Sequence, residues 1–156
     1  MLEEGHPDCT LARYHRGMCD APSEPEVRIM TAHLESGAQP YAQRVDLGHH
    51  AVVADEPAAR GGADKGPSPT GLLLAALASC TSITLAMYAA RKSWELGAVR
   101  IDVSLFHAGD AQRIERTISF AAPLAPEQQA RLLEIADKTP VTRTLREGVA
   151  IKTKVA

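Results

Sequence analysis

The residues best suited to covalent chemistry are the three cysteines, Cys9, Cys19 and Cys80, and the setting of Cys80 is the most telling. It sits near the middle of Leu72–Ala90, a run without a charge, just after the Gly/Pro-rich stretch Gly61-Gly62-Ala63-Asp64-Lys65-Gly66-Pro67-Ser68-Pro69. A thiol buried there is either inert packing or a protected reaction centre. Burial alone favours packing, because free cysteine behaves as a small hydrophobe. As a reaction centre it would act as a thiolate nucleophile. An unperturbed thiol, with a pKa of about 8.5, is mostly protonated at neutral pH, so such chemistry needs a cation nearby. A helix starting near Pro69 would put Cys80 about three turns in, past the first turn where the helix dipole helps.

Other constellations offer less. Cys9, His15 and Cys19, with His6 nearby, have ligand types for zinc, but C-x9-C does not match the short spacings of common zinc sites. His49 and His50 are adjacent and on a strand would point to opposite faces. Gly61-Gly62 and Gly66 lack the Gly-Lys-Ser/Thr of a phosphate loop. No metal and no bound cofactor is therefore expected. The acidic pair Asp55-Glu56 before Pro57 reads as a strand-ending turn.

The elements that must hold Cys80 follow from periodicity and turn residues. Val27–Leu34, Tyr41–Leu47 and Ala51–Ala54 read as three short strands, separated by Ser36-Gly37-Ala38-Gln39-Pro40 and by Gly48. The long helix comes next, apolar around nearly its whole circumference, as befits a helix covered on all sides. Val99, Ile101, Val103 and Leu105 alternate with polar positions, and Ile114–Phe120 pairs with that strand across Ala108-Gly109-Asp110. Arg116 shares a face with Ile114, Ile118 and Phe120, where an unpaired charge would be costly, so it must pair or reach an edge. Pro126 opens an amphipathic helix that Pro140 interrupts. Val141–Glu147 makes a short helix ending at Gly148, and Val149–Val155 is expected to return as a final strand. The fold class is α+β, with antiparallel sheets and a long buried central helix carrying Cys80.

At 156 residues and 45% hydrophobic, the chain fits a single domain over residues 26–156, preceded by an N-terminal extension over 1–25. A net charge of −2 provides no field to gather nucleic acid or anionic membrane, and neither partner is expected. Three cysteines without a C-x-x-C pair read as reduced thiols in the cytoplasm, and Met1–Pro7 lacks the features of a signal peptide. Leu72–Ala90 is long enough to cross a bilayer. It is largely alanine, however, carries hydroxyls at Ser79, Thr81, Ser82 and Thr84, and lacks aromatic anchors, so a buried soluble helix is expected.

The block from Gly66-Pro67-Ser68-Pro69 to Cys80, followed by Thr81-Ser82-Ile83-Thr84-Leu85-Ala86-Met87-Tyr88-Ala89, resembles the OsmC/Ohr family. Asp55-Glu56-Pro57, Arg91-Lys92, Ile135-Ala136-Asp137-Lys138 and Pro140-Val141 extend the likeness from Tyr41 to near the end of the chain. The resemblance implies an intertwined homodimer with the long helices packed centrally and two thiol sites at the subunit interface. It also implies cysteine-based reduction of organic hydroperoxides in oxidative stress. In that chemistry the first cysteine becomes a sulfenic acid, a second cysteine captures it as a disulfide, and a dithiol resets the enzyme.

That family uses an arginine from the N-terminal strands, held by a glutamate at the start of the long helix. The resemblance makes Arg44 the candidate partner of Cys80, with Arg28 and Arg116 as alternatives. Two positions depart from the pattern. Gly71 stands where the glutamate is expected, and Thr139 stands where the second cysteine is expected. A threonine cannot form a disulfide, so Cys80 would be resolved by an external thiol or dithiol, or by Cys9 or Cys19. On a helix Cys80 shares its side with Leu73, Ala76, Leu77, Thr84 and Met87. Such a lining suits a hydrophobic hydroperoxide, and equally a small apolar ligand bound without chemistry. Two readings therefore stand: a thiol-dependent peroxidase acting through Cys80 and Arg44, and a non-catalytic ligand-binding or structural protein.

Overall fold

A helix with apolar residues on every side is stable in water only where something covers it, and the rest of the fold is arranged to cover one stripe of this one. The structure is a computed structural model that describes residues 27–155. The expected extension over 1–25, with Cys9 and Cys19, lies outside the described residues. The compact unit that carries the site spans Ala32–Ala156.

Its first layer is an antiparallel sheet of β1 (His33–Leu34), β2 (Gln43–Leu47) and β3 (His50–Ala54) in that order. The first strand is far shorter than the expected Val27–Leu34, since only two residues find ladder partners on β2. Gly48-His49 forms the two-residue turn between β2 and β3. This places His49 off the strand, and its ring lies 4.0 Å from that of His50 instead of on the opposite face. Among the described residues no cluster of His, Cys, Asp or Glu could hold a metal ion.

The loop after β3 is built around Asp55. Its carboxylate accepts the backbone N–H groups of Glu56 at 2.8 Å, Lys65 at 3.0 Å and Ala63 at 3.2 Å. The Lys65 N–H contributes most to holding Asp55 below the ordinary carboxylate range, burial opposes it, and the other two N–H groups and the Lys65 charge add to it. Gly62 is required within this loop, because a Cβ there would lie 1.7 Å from the Glu56 carbonyl oxygen. The Asp55 N–H also donates to the Pro67 carbonyl at 3.2 Å, tying the end of β3 to the start of the long helix.

That helix, α1 (Pro69–Lys92), begins with Ser68 as N-cap, its hydroxyl accepting the Gly71 N–H, and with Pro69 at the first helical position. Ser93, in the left-handed region at φ 53°, ends it. Leu77, Thr81, Leu85 and Ala89 are its buried positions, spaced four apart and so on one face. Much of the opposite side is open within the chain, with Ile83 60% and Met87 55% exposed.

Beneath the buried stripe lies the hairpin of β4 (Val99–Ala108) and β5 (Ala111–Phe120). Its two-residue turn begins at Gly109, whose φ of +60° suits a tight hairpin. α2 (Pro126–Asp137) and α3 (Pro140–Glu147) complete the layer against α1. Leu85, Ala89, Leu96, Leu132 and Ala136 form the core, with Tyr88, Trp94, Ile118 and Phe120 packed around it.

The expected final strand is not formed. Residues 149–155 have no ladder partner among the described residues, and their alternating Val149, Ile151 and Val155 stand exposed, Ile151 at 85%. An alternating pattern specifies a strand's faces but cannot supply the neighbour to which its backbone must bond.

Two outcomes are expected. Leu132→Ala lowers the free energy of unfolding in urea by about 2–5 kcal/mol, since Leu132 is fully buried, whereas Leu133→Ala, at a half-exposed neighbour, costs far less. Asp55→Asn lowers the melting temperature at pH 7. The folded pKa of Asp55 lies below its unfolded value, so its contribution is full above about pH 4 and lost as pH falls through the folded value. The gap between wild-type and variant melting temperatures therefore closes on acidification.

Candidate functional site

Cys80 lies on α1, partly exposed, one residue from the buried stripe at Thr81. At 100° per residue it falls between the face carrying Leu73 and Leu77 and the open face carrying Ile83 and Met87. A cation within electrostatic reach of it comes from β5. Arg116 faces inward opposite Val103, in the layer of Ile101, Leu105, Ile114 and Ile118, and its side chain is only 12% exposed.

The partners that make this burial tolerable come from three elements. Arg116 Nη1 donates to Thr81 Oγ1 of α1 at 2.8 Å and to Thr142 Oγ1 of α3 at 3.0 Å. Its Nη2 donates to Asp137 Oδ1, the last residue of α2, at 3.2 Å. Arg146 of α3 donates to the same oxygen at 3.0 Å. Burial pushes the guanidinium of Arg116 down from the usual arginine value. Asp137 opposes this, Arg146 adds to it, and a thiolate at Cys80 opposes it. Arginine stays charged in such a setting, so a fixed cation lies within electrostatic reach of the thiol.

Thr139 closes the network from behind. It is fully buried and caps α3, accepting the Thr142 N–H. Thr142 Oγ1 lies 3.2 Å from the Ala136 carbonyl and 2.6 Å from Thr139 Oγ1. Its single proton goes to the carbonyl, so Thr139 donates to Thr142. Thr142 thus accepts from both Arg116 and Thr139, and every hydroxyl in the network is used.

The other sequence candidates fall elsewhere. Arg44 is on β2, its Nη2 2.8 Å from Asp46 Oδ1 and its side chain 67% exposed, and the structure does not bring it to Cys80 within one chain. Arg28 is exposed in a segment without regular structure. Gly71, at the expected glutamate position, would accept a Cβ in ordinary contact with Ser68 Oγ at 3.4 Å; what is missing is a charge, and Asp137 supplies one to Arg116 from α2. Sequence reading placed Arg116 on a buried face but missed Thr81, Thr142, Asp137 and Arg146 as its partners. The inward parity of Arg116 was the available signal.

Beside this network, α1, β4, β5, α2 and α3 enclose a cleft of about 790 Å³. Leu73, Leu77, Ile114, Ile118 and Leu133 line its apolar part, and Arg113, Arg116, Asp137 and Arg146 its polar part. Cys80 is outside that lining.

The OsmC-like protein family model matches residues 62–154. No curated protein matches the sequence. Solved structures share its fold. An OsmC like protein from Mycoplasma pneumoniae has a TM-score of 0.62 at 18% identity, covering 81% of this chain and 91% of that one. An organic hydroperoxide resistance protein OsmC from Legionella pneumophila has a TM-score of 0.58 at 18% identity, covering 82% and 96%. The organic hydroperoxide resistance protein OhrB of Bacillus subtilis has a TM-score of 0.53 at 22% identity, covering 79% and 94%.

Thr139→Val removes both the cap and the proton given to Thr142, and is expected to cost about 1–2 kcal/mol in urea unfolding. Thr139→Ser, which keeps the hydroxyl, is expected to stay near wild type.

Proposed function

Because the chain belongs to the OsmC-like protein family, we propose that Cys80 is its reactive thiol and that it reduces organic hydroperoxides, with an external thiol as the resolving partner. The observation that carries this reading is Arg116, a buried cation bonded to the neighbouring Thr81 and within electrostatic reach of Cys80. A fixed cation within electrostatic reach of the sulfur would stabilise the negative charge that develops on the departing oxygen. In this reading the activating role passes from Arg44 to Arg116.

The Cys80 thiolate attacks one peroxide oxygen and the O–O bond breaks. The other oxygen leaves and takes a proton from solvent to become an alcohol, while the sulfur, oxidised by two electrons, becomes a sulfenic acid. An external thiol attacks that sulfur and releases water, and a second thiol frees Cys80 by exchange. The external thiol is proposed because Thr139 occupies the expected second-cysteine position, where it caps α3 and can form no disulfide.

A homodimer belongs to the same proposal. The open face of α1, with Ile83 and Met87, and the exposed Val149, Ile151 and Val155 are apolar surface that a second copy would cover. A second copy covering α1 would leave Cys80 at the edge of the interface. The proposed setting is the cytoplasm, where thiols are kept reduced.

The reading in which Cys80 is silent and the protein binds a ligand is favoured by one observation, that Cys80 does not line the cleft. The two part on oxidation of reduced protein by cumene hydroperoxide and by hydrogen peroxide, followed by intact and peptide mass spectrometry with Cys80→Ser as control. The peroxidase reading expects rapid oxidation at Cys80 with preference for the organic peroxide. Oxidation no faster than that of free cysteine would contradict it.

A further inference from the structure

We propose that the cleft between α1, the β4–β5 hairpin, α2 and α3 is a binding site for an amphipathic monocarboxylate, its head group at Arg146 and Arg113 and its hydrocarbon tail over Leu73, Leu77 and Leu133. The cleft's volume of about 790 Å³ lies within the usual range of small-molecule sites. Two of its apolar residues remain substantially open, Leu73 at 42% and Leu133 at 55% exposed, so burying them against a hydrocarbon chain gains contact that the fold itself does not supply.

Charge selects the head group. Three guanidiniums line the cleft, from Arg113, Arg116 and Arg146, against the single carboxylate of Asp137. Arg116 and Arg146 share one oxygen of that carboxylate. Arg116 is turned inward and spent on Thr81, Thr142 and Asp137. Arg146 is 62% exposed and gives only its Nη2 to Asp137, which leaves it further N–H donors for an incoming ligand. Arg113 holds Glu115 through Nη1 and lies over the Phe106 ring, an arrangement that fixes its position at the rim while leaving donors free. A carboxylate accepts such donors in pairs, which a neutral alcohol cannot do. A cationic head would face the surplus positive charge.

Cys80 does not line the cleft, so this site stands beside the thiol chemistry and does not depend on it. The test is calorimetric titration of the full-length protein with octanoate and with octan-1-ol, in wild type, Arg146→Gln, Leu133→Asp and Cys80→Ser. Octanoate is expected to bind at one site per chain, about tenfold tighter than octan-1-ol. Arg146→Gln is expected to remove most of that preference without altering binding of the alcohol. Leu133→Asp, on exposed surface, is expected to weaken both ligands, and Cys80→Ser neither. Equal binding of the two ligands, full octanoate affinity in Arg146→Gln, or no binding because a second copy fills the cleft would each overturn the proposal. Failure of Cys80 to react with peroxide would leave these results unchanged.

Discussion

A guanidinium inside a hydrocarbon layer has to be given partners, and in this protein satisfying that demand assembles the site. Arg116 emerges from the inner face of the β4–β5 hairpin among isoleucines, valine and leucine. Its donors are met by a hydroxyl from α1, a hydroxyl from α3 and a carboxylate at the end of α2. Removing Thr81 or Thr142 would leave a largely buried donor unpaired, at a cost of about 1–3 kcal/mol. The three helices are thus held to one point on the sheet by polar bonds as well as by the Leu85–Leu132 core, and that point is beside Cys80.

This arrangement accounts for both departures from the expected pattern. With Gly71 at the start of α1, no side chain is there to hold an arginine arriving from the N-terminal strands. Arg116 comes from β5 and is paired with the Asp137 carboxylate at the end of α2, which Arg146 shares. Thr139 in turn is placed where its hydroxyl caps α3 and completes the hydroxyl network. Both substitutions have the character of a consistent local design, in which the residues that would support one geometry are absent and those supporting another are fully bonded.

Much of the fold was legible because it rests on local chemistry. Pro69 behind Ser68, Pro126, and Pro140 before the run to Gly148 marked helix boundaries that the backbone follows closely. The two-residue turn at Gly109-Asp110 joined the strands whose alternation had announced them. What failed depends on neighbours outside the segment. Val149–Val155 has a strand's alternation but no partner ladder among the described residues, and β1 keeps only the two residues that reach β2. The same limit applied to the site. Parity alone showed that Arg116 must be paired, yet nothing in the spacing of Thr81, Asp137 and Thr142 along the chain says that they converge. Arg44 matched an expected role by strand position, and within one chain it lies on the exposed face of β2 that it shares with Asp46.

The central claim is that Arg116 governs the reactivity of Cys80, and the most direct measurement is the single-turnover rate of Cys80 oxidation by an organic hydroperoxide in wild type, Arg116→Lys and Arg44→Gln. Lysine keeps the charge but not the planar fork that reaches Thr81, Thr142 and Asp137 together. The account predicts a fall of about tenfold or more in Arg116→Lys, with the fold retained, and a wild-type rate in Arg44→Gln. A wild-type rate in Arg116→Lys together with loss in Arg44→Gln would contradict it and return the activating role to the N-terminal strands.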